Sequence, residues 1–220
     1  MLACPDLHSP WADIKAVSAF YEAIETEKPQ VIIQLGDLYD MYSQSKFPRN
    51  QDICTPKEEI AEARQFAESF WKNCRKLSGA KTRYIQILGN HDDRPSKRIA
   101  ERYPEIAALV GIDHLFKFTG VETILDSRTE LTLEGVIYTH GHFTRHGQHS
   151  SYYNRSVVHG HTHRGAVVYQ KVHGRIIWEL DCGHMADENS EPLQYTATKT
   201  TRWTQGYGII DDRGPRFIGL

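Results

Sequence analysis

Hydrophobic and polar positions alternate in two different rhythms along this chain, and the change of rhythm divides it. Residues 2–5 (LACP) form a very short apolar run ending at Asp6. From 11 to 26, Ile14, Val17, Tyr21 and Ile24 recur at helical spacing and predict an amphipathic helix. "VIIQL", 31–35, is a continuous apolar run that stops at Gly36-Asp37, as buried parallel strands do. Residues 41–55 show no period and read as a long loop. A second helix then begins at Thr55, with Pro56 in its first turn and Glu58 completing a capping box. Its stripe is Ile60, Ala63, Phe66, Phe70, Cys74 and Leu77, and Gly79 follows its end. "RYIQIL", 83–88, is the next strand, and a third helix is expected over 96–109.

The second half reads differently. Short β-like runs fall at 115–118, 131–133, 136–139, 156–158, 166–172, 175–181, 206–211 and 215–219, with one short helix near 148–154. "HGR" and "DDRG" read as hairpin turns. No repeat or linker splits the chain, so residues 1–220 are expected to form one domain.

Composition adds little until histidine is considered. With 40% hydrophobic and 25% charged residues the chain is of ordinary globular type. No apolar run is long enough to span a bilayer and no signal peptide is visible, so a cytoplasmic location is expected. Cys4, Cys54, Cys74 and Cys182 form no CxxC pair and read as reduced thiols. A net charge of −2 excludes a generally basic, nucleic-acid-coating surface but leaves room for a local basic groove. The twelve histidines, however, are clustered.

They cluster, with acids, just past the predicted strands. Asp6 and His8 follow the first, Asp37 and Asp40 the second, Asn90, His91 and Asp92 the third. Later strands deliver His140 and His142, then His161 and His163. Ligands of open α/β sheets gather beyond the carboxyl ends of strands, and these side chains are good donors to divalent metals. Asp6 and His8, like His161 and His163, stand at i, i+2 and share one side of an extended segment. The Asp37 carboxylate can bridge two cations, whereas Asn90 offers a neutral oxygen. A closed structural zinc site is disfavoured, because no motif contains Cys.

"DLH", "GDLYD", "GNHDD", "THGH" and "GHTHR", in that order, resemble the calcineurin-like metallophosphoesterases, small stand-alone phage and bacterial members above all. The resemblance runs from residue 6 to about 164 and implies a four-layer α/β/β/α sandwich, two mixed β-sheets flanked by helices. It implies that Asp6, His8, Asp37 and His163 hold one metal, and that Asp37 bridges to a second held by Asn90, His140 and His161. His142 stands at i, i+2 from His140 and competes with it for that place. His91 would face the substrate phosphate, with Asp92 orienting its ring. A hydroxide bridging the metals would attack phosphorus in line. Mn²⁺ is the first expectation, with Fe, Zn, Ni or Mg as alternatives. The family pattern also leads one to expect more than five residues before Asp6, hence a trimmed N-terminus.

The expected activity is hydrolysis of nucleic-acid or nucleotide phosphodiesters. His91 would assist an alkoxide leaving group, and the 41–55 loop could line a groove. Arg94, Arg145 and Arg164, with His142, bracket the predicted phosphate site as candidate substrate contacts. Phosphomonoester hydrolysis is the alternative. An inactive scaffold of the same fold is disfavoured, because every ligand position is filled. For a phage-encoded chain the location would be the host cytoplasm.

Overall fold

The computed structural model describes residues 1–48, 50, 52–107, 109–125, 129–196 and 202–220. Positions 49, 51 and 108, inside the expected loop and third helix, lie outside the described residues. The first half alternates strand and helix: β1 (Leu2–Cys4), α1 (Ile14–Glu27), β2 (Val31–Gln34), α2 (Pro56–Leu77), β3 (Arg83–Ile87), α3 (Arg94–Arg102), α4 (Pro104–Ala107) and β4 (Glu122–Ile124). The second half is mainly strand: β5 (Leu131–Leu133), β6 (Val136–Tyr138), α5 (Gln148–Tyr153), β7 (Val157–His159), β8 (Ala166–Val172), β9 (Arg175–Asp181), β10 (Gly206–Asp211) and β11 (Gly214–Gly219).

These strands build two mixed sheets. The first has the order β11-β10-β1-β2-β3-β4, with β1 to β4 parallel and β10 and β11 antiparallel additions. The second has the order β5-β6-β7-β9-β8, with β6, β7 and β9 parallel. Strand alternation sends Leu2, Cys4 and Ile32 to one side of the first sheet, where they meet Phe20, Ile24, Phe70 and Trp71 of α1 and α2. Ala3, Ile33, Leu35, Ile85 and Ile87 point the other way, against Tyr138, Val158, Leu180 and Cys182 of the second sheet. The strands of the first sheet are thus covered on both faces, which is why "VIIQL" is unbroken apolar sequence.

The helix ends follow their local chemistry. Thr55 and Glu58 close the capping box of α2 reciprocally, the Thr55 nitrogen donating to Glu58 Oε2 at 2.9 Å. α1 starts at Ile14 rather than 11, because the Asp13 side chain accepts from the Lys15 nitrogen and caps it there. Three further expectations are corrected. The third helix breaks at Tyr103, since the residue before Pro104 is driven out of the helical region. Residues 115–118 are not a strand: Asp113–Phe116 form a 3₁₀ turn that drops Leu115 and Phe116 into the core under Tyr39. Within the expected loop, Tyr42–Gln44 form another 3₁₀ turn, whose nitrogens at 42 and 43 donate to the buried Glu59 carboxylate.

Candidate metal centre

The carboxyl ends of β1, β2 and β3 from one sheet and of β6 and β7 from the other converge on one buried spot. Asp6 and His8 follow β1, Asp37 follows β2, Asn90 follows β3, His140 follows β6, and His161 and His163 follow β7. The structure brings all seven together, in two groups. In one, His163 Nε2 lies 3.0 Å from both Asp6 Oδ2 and His8 Nε2, and His8 Nε2 lies 4.0 Å from Asp37 Oδ2. In the other, Asn90 Oδ1 lies 2.8 Å from His161 Nδ1 and 3.0 Å from His140 Nε2, itself 3.4 Å from Asp37 Oδ2. One oxygen of Asp37 therefore stands between the groups. Its other oxygen accepts the His91 backbone N–H at 2.8 Å.

The backbone is bent to achieve this. His8, Asp37, His161 and His163 all have positive φ, 49, 50, 70 and 59°, a region non-glycine residues seldom occupy. Two glycines give the carboxylates room: a Cβ on Gly89 would overlap Asp37, and one on Gly160 would overlap Asp6.

Three observations test whether these residues fit a metal. Donors at about 2.1 Å from one cation stand about 3.0 Å apart at right angles and about 3.4 Å apart in a tetrahedron, matching the separations between 2.8 and 3.4 Å found here. The outer ring nitrogens are also held. His8 Nδ1 is 2.7 Å from Asp40 Oδ1, and His140 Nδ1 is 3.0 Å from the Leu35 carbonyl, which leaves each Nε2 lone pair facing inward. Finally, Asp6, Asp37 and Asp40 are buried together, and buried carboxylates need positive charge beside them. Burial alone would lift the Asp37 carboxyl, yet His140, His91 and His8 hold it well below the usual range. Conversely, burial opposes a charge on His140, but the Asp37 and Asp6 carboxylates push it up to about 9. His161, half-buried beside His140, is pushed down to about 4 by desolvation and that neighbour and offers a neutral lone pair.

The remaining candidates are distributed differently. His91 adjoins both groups, with Nε2 4.0 Å from Asp37 Oδ2 and 2.9 Å from Arg94 Nη2. Its ring is oriented by Asp40 and not, as expected, by Asp92: His91 Nδ1 is 3.0 Å from both the Asp40 carbonyl and Asp40 Oδ1. The Asp92 carboxylate is consumed by the backbone nitrogens of Leu38, Tyr39 and Gly89, and so ties the turn after β2 to the turn after β3. Arg94 donates to the Asp40 carbonyl at 2.8 Å and lines a cavity of about 500 Å³ that opens past Asn90 and His91. His142 is exposed, its ring against Phe143, His149 and Tyr152, so its competition with His140 is resolved by direction. Arg145 lines a separate depression beside Phe143 and Gln170, and Arg164 donates to the Thr144 carbonyl.

Two neighbours belong to none of the five motifs. The buried His184 ring stacks on His163 with centroids 5.0 Å apart, and Trp203 stands 4.5 Å from His163. Only their place in the fold, on the far side of β9 in sequence, brings them there.

The chain is similar to proteins already known. A family profile described as calcineurin-like phosphoesterase matches residues 1–165. The "Gene 54 protein" of Mycobacterium phage D29 is 24% identical over 234 residues, covering 93% of this chain and 86% of that one. The protein of the same name from Mycobacterium phage L5 is 24% identical over 227 residues, with the same coverage. Among solved structures, Yfce, a phosphoesterase from E. coli, aligns over 96% of this chain and 87% of its own, at 16% identity with a TM-score of 0.44.

Proposed function

We propose, from the premise that the chain belongs to the calcineurin-like phosphoesterase family, that it hydrolyses phosphodiesters of nucleotide or nucleic-acid type. Membership supports the coarser statement directly: metal-dependent hydrolysis of a phosphoester. One observation carries the finer one. Asp37 Oδ2 stands between two inward-facing donor groups, and a cavity of about 500 Å³ opens past its neighbours Asn90 and His91, with space for a second substituent on phosphorus.

In this reading Asp6, His8, Asp37 and His163 hold one divalent cation, and Asp37, Asn90, His140 and His161 the other. Mixed nitrogen and oxygen donors without thiolate suit Mn²⁺. Two such ions, when bound, supply Lewis acidity toward phosphoryl oxygens and make a bound water acidic near neutral pH. The chain's own groups do the rest. Asp40 fixes the rings of His8 and His91 through their Nδ1 atoms. His91 Nε2, beside Arg94 Nη2 at the cavity, is the atom assigned to the leaving oxygen. As it stands Nδ1–H donates to Asp40 and Nε2 accepts from Arg94, so Arg94 must leave Nε2 before that atom can take up a proton and release it to the departing alkoxide. The two mycobacteriophage relatives support a host cytoplasm as its place of work. Among the described residues no helix is long and apolar enough to cross a membrane.

The test uses metal-stripped protein with Mn²⁺ restored. Two ions per chain and faster hydrolysis of bis-para-nitrophenyl phosphate than of para-nitrophenyl phosphate are expected. Faster monoester cleavage would reverse the substrate class; no cleavage of either ester would remove the hydrolase reading.

A further inference from the structure

Two cavities meet at Asn90 and Arg94. The first, of about 500 Å³, runs from His91 past Tyr42 to Asn50 and Glu191. The second, of about 450 Å³, lies along α3. Ser45 and Phe47 wall both, so they form one groove that starts at the donor groups and leaves along the helix.

The charge of the outer half is exceptional for this chain. Lys46, Arg94, Lys97, Arg98 and Arg102 line it, against the single carboxylate of Glu101. Asp93, 3.1 Å from Lys97, and Asp40, 3.8 Å from Arg94, each offset one of them. A formal net charge of −2 for the whole chain makes this a local concentration rather than a general property of the surface. Helical spacing explains it, because positions 94, 97, 98 and 102 share one side of α3. Arg94 is held by Asp40, but Arg98 and Arg102 are like charges at i, i+4 and repel. An anionic ligand relieves that repulsion. From Arg94 to Arg102 the helix rises about 12 Å, so the cations form a row rather than a point. A row matches successive phosphates.

At the junction of the two halves stands Phe47, 64% exposed. A flat apolar ring beside a cationic track is the combination by which single strands are held, because every base has a face to stack. A mononucleotide would leave the α3 half empty, and a phosphopeptide would bring one phosphate and no base.

Building on the hydrolase reading above, we propose that the substrate is single-stranded nucleic acid. Its scissile phosphate lies at the donor groups, its backbone follows α3, and one base stacks on Phe47.

The experiment compares kcat/KM for bis-para-nitrophenyl phosphate with that for single-stranded oligonucleotides from the dinucleotide upward, in Mn²⁺ at low and moderate salt. The oligonucleotide value should rise with length and then level off. The triple variant Lys97→Glu, Arg98→Glu, Arg102→Glu should lower the ratio of oligonucleotide to small-diester kcat/KM by about tenfold or more and flatten its salt dependence. Phe47→Ala should raise KM for the oligonucleotide by about fivefold or more. In parallel, anisotropy of a labelled single strand should report binding that the triple variant weakens by a similar factor. A length profile flat beyond the dinucleotide, an unmoved ratio, or preferred cleavage of a phosphopeptide would overturn the strand site while leaving hydrolysis intact. Binding of the strand with no cleavage of any ester would instead retire the hydrolase reading and keep the strand site. Absence of binding overturns the strand site whatever the turnover.

Discussion

Asp40 and Asp92 are both buried carboxylates, close in space, and they do different work. Asp40 meets two imidazoles, at 2.7 Å from His8 Nδ1 and 3.0 Å from His91 Nδ1. Asp92 meets three backbone nitrogens. The two substitutions should therefore separate. Asp40→Ala should weaken Mn²⁺ binding about 10–100-fold by titration calorimetry, because an outer partner that orients a ligating ring is lost. Asp92→Asn should lower unfolding stability by about 1–3 kcal/mol in urea, since an amide cannot accept from all three donors, and it should move Mn²⁺ affinity less. Equal effects on affinity would refute the division. Nothing in "GDLYD" or "GNHDD" tells the two acids apart, because each role depends on which remote turn the carboxylate meets. His142 was ambiguous for the same reason: spacing gives a side of the strand, but not whether the chain still runs straight two residues later. Here Gly141, at φ 102°, has already turned it.

Elements were legible where local chemistry decides them. The bounds of β8, β9 and β10 coincide with their apolar runs, and the cap of α2 lies where Thr55 and Glu58 put it. β4 was not legible, because Glu122–Ile124 carries only Ile as a β-favouring apolar residue and takes its form from pairing with β3. A less visible fastening joins α5 to the second sheet. Glu179 of β9 is buried on the outer face and accepts from the Gly147 and Ser150 nitrogens at 2.7 and 2.8 Å. It also stands 3.2 Å from His159 Nε2. His149 Nε2, in turn, accepts from the nitrogens of His142 and Phe143, so this cluster holds the strand end that carries His140. Removing one partner of such a buried charged network costs about 3–5 kcal/mol, and Glu179→Ala should show that loss in chemical unfolding. Burial raises the Glu179 carboxyl, but His149, His159 and the Ser150 nitrogen together hold it well below its ordinary value. A depressed carboxyl stabilises the fold above its unfolded pKa of about 4.3 and loses that contribution as pH falls through the folded value. The acid-side fall in Tm should accordingly be steeper in the natural chain than in Glu179→Gln; parallel profiles would show that the shift contributes nothing.

At the scale of the molecule, the donor groups straddle two sheets. Asp6, His8, Asp37 and Asn90 come from the first, and His140, His161 and His163 from the second. Cations held there join the sheets as well as serving chemistry. With free Mn²⁺ a thousandfold above Kd, one site adds about 4 kcal/mol, and at about 2–4 °C per kcal/mol for a chain of this size that is roughly 8–16 °C in Tm. Chelation should remove it and Mn²⁺ should restore it; a Tm indifferent to chelator would show that no cation bridges the sheets. The sequence announced the meeting of five strand ends, and the family resemblance the two sheets, but not which sheet supplies which end. The 157 residues between Asp6 and His163 have a consequence for timing. Donors from Asp6 to His163 cannot assemble until the later one has left the ribosome, and at about 5–20 residues per second the first waits roughly 8–30 s for the last. Through that interval the nascent chain has half a centre, so a metal-dependent hydrolase built this way would be born inert.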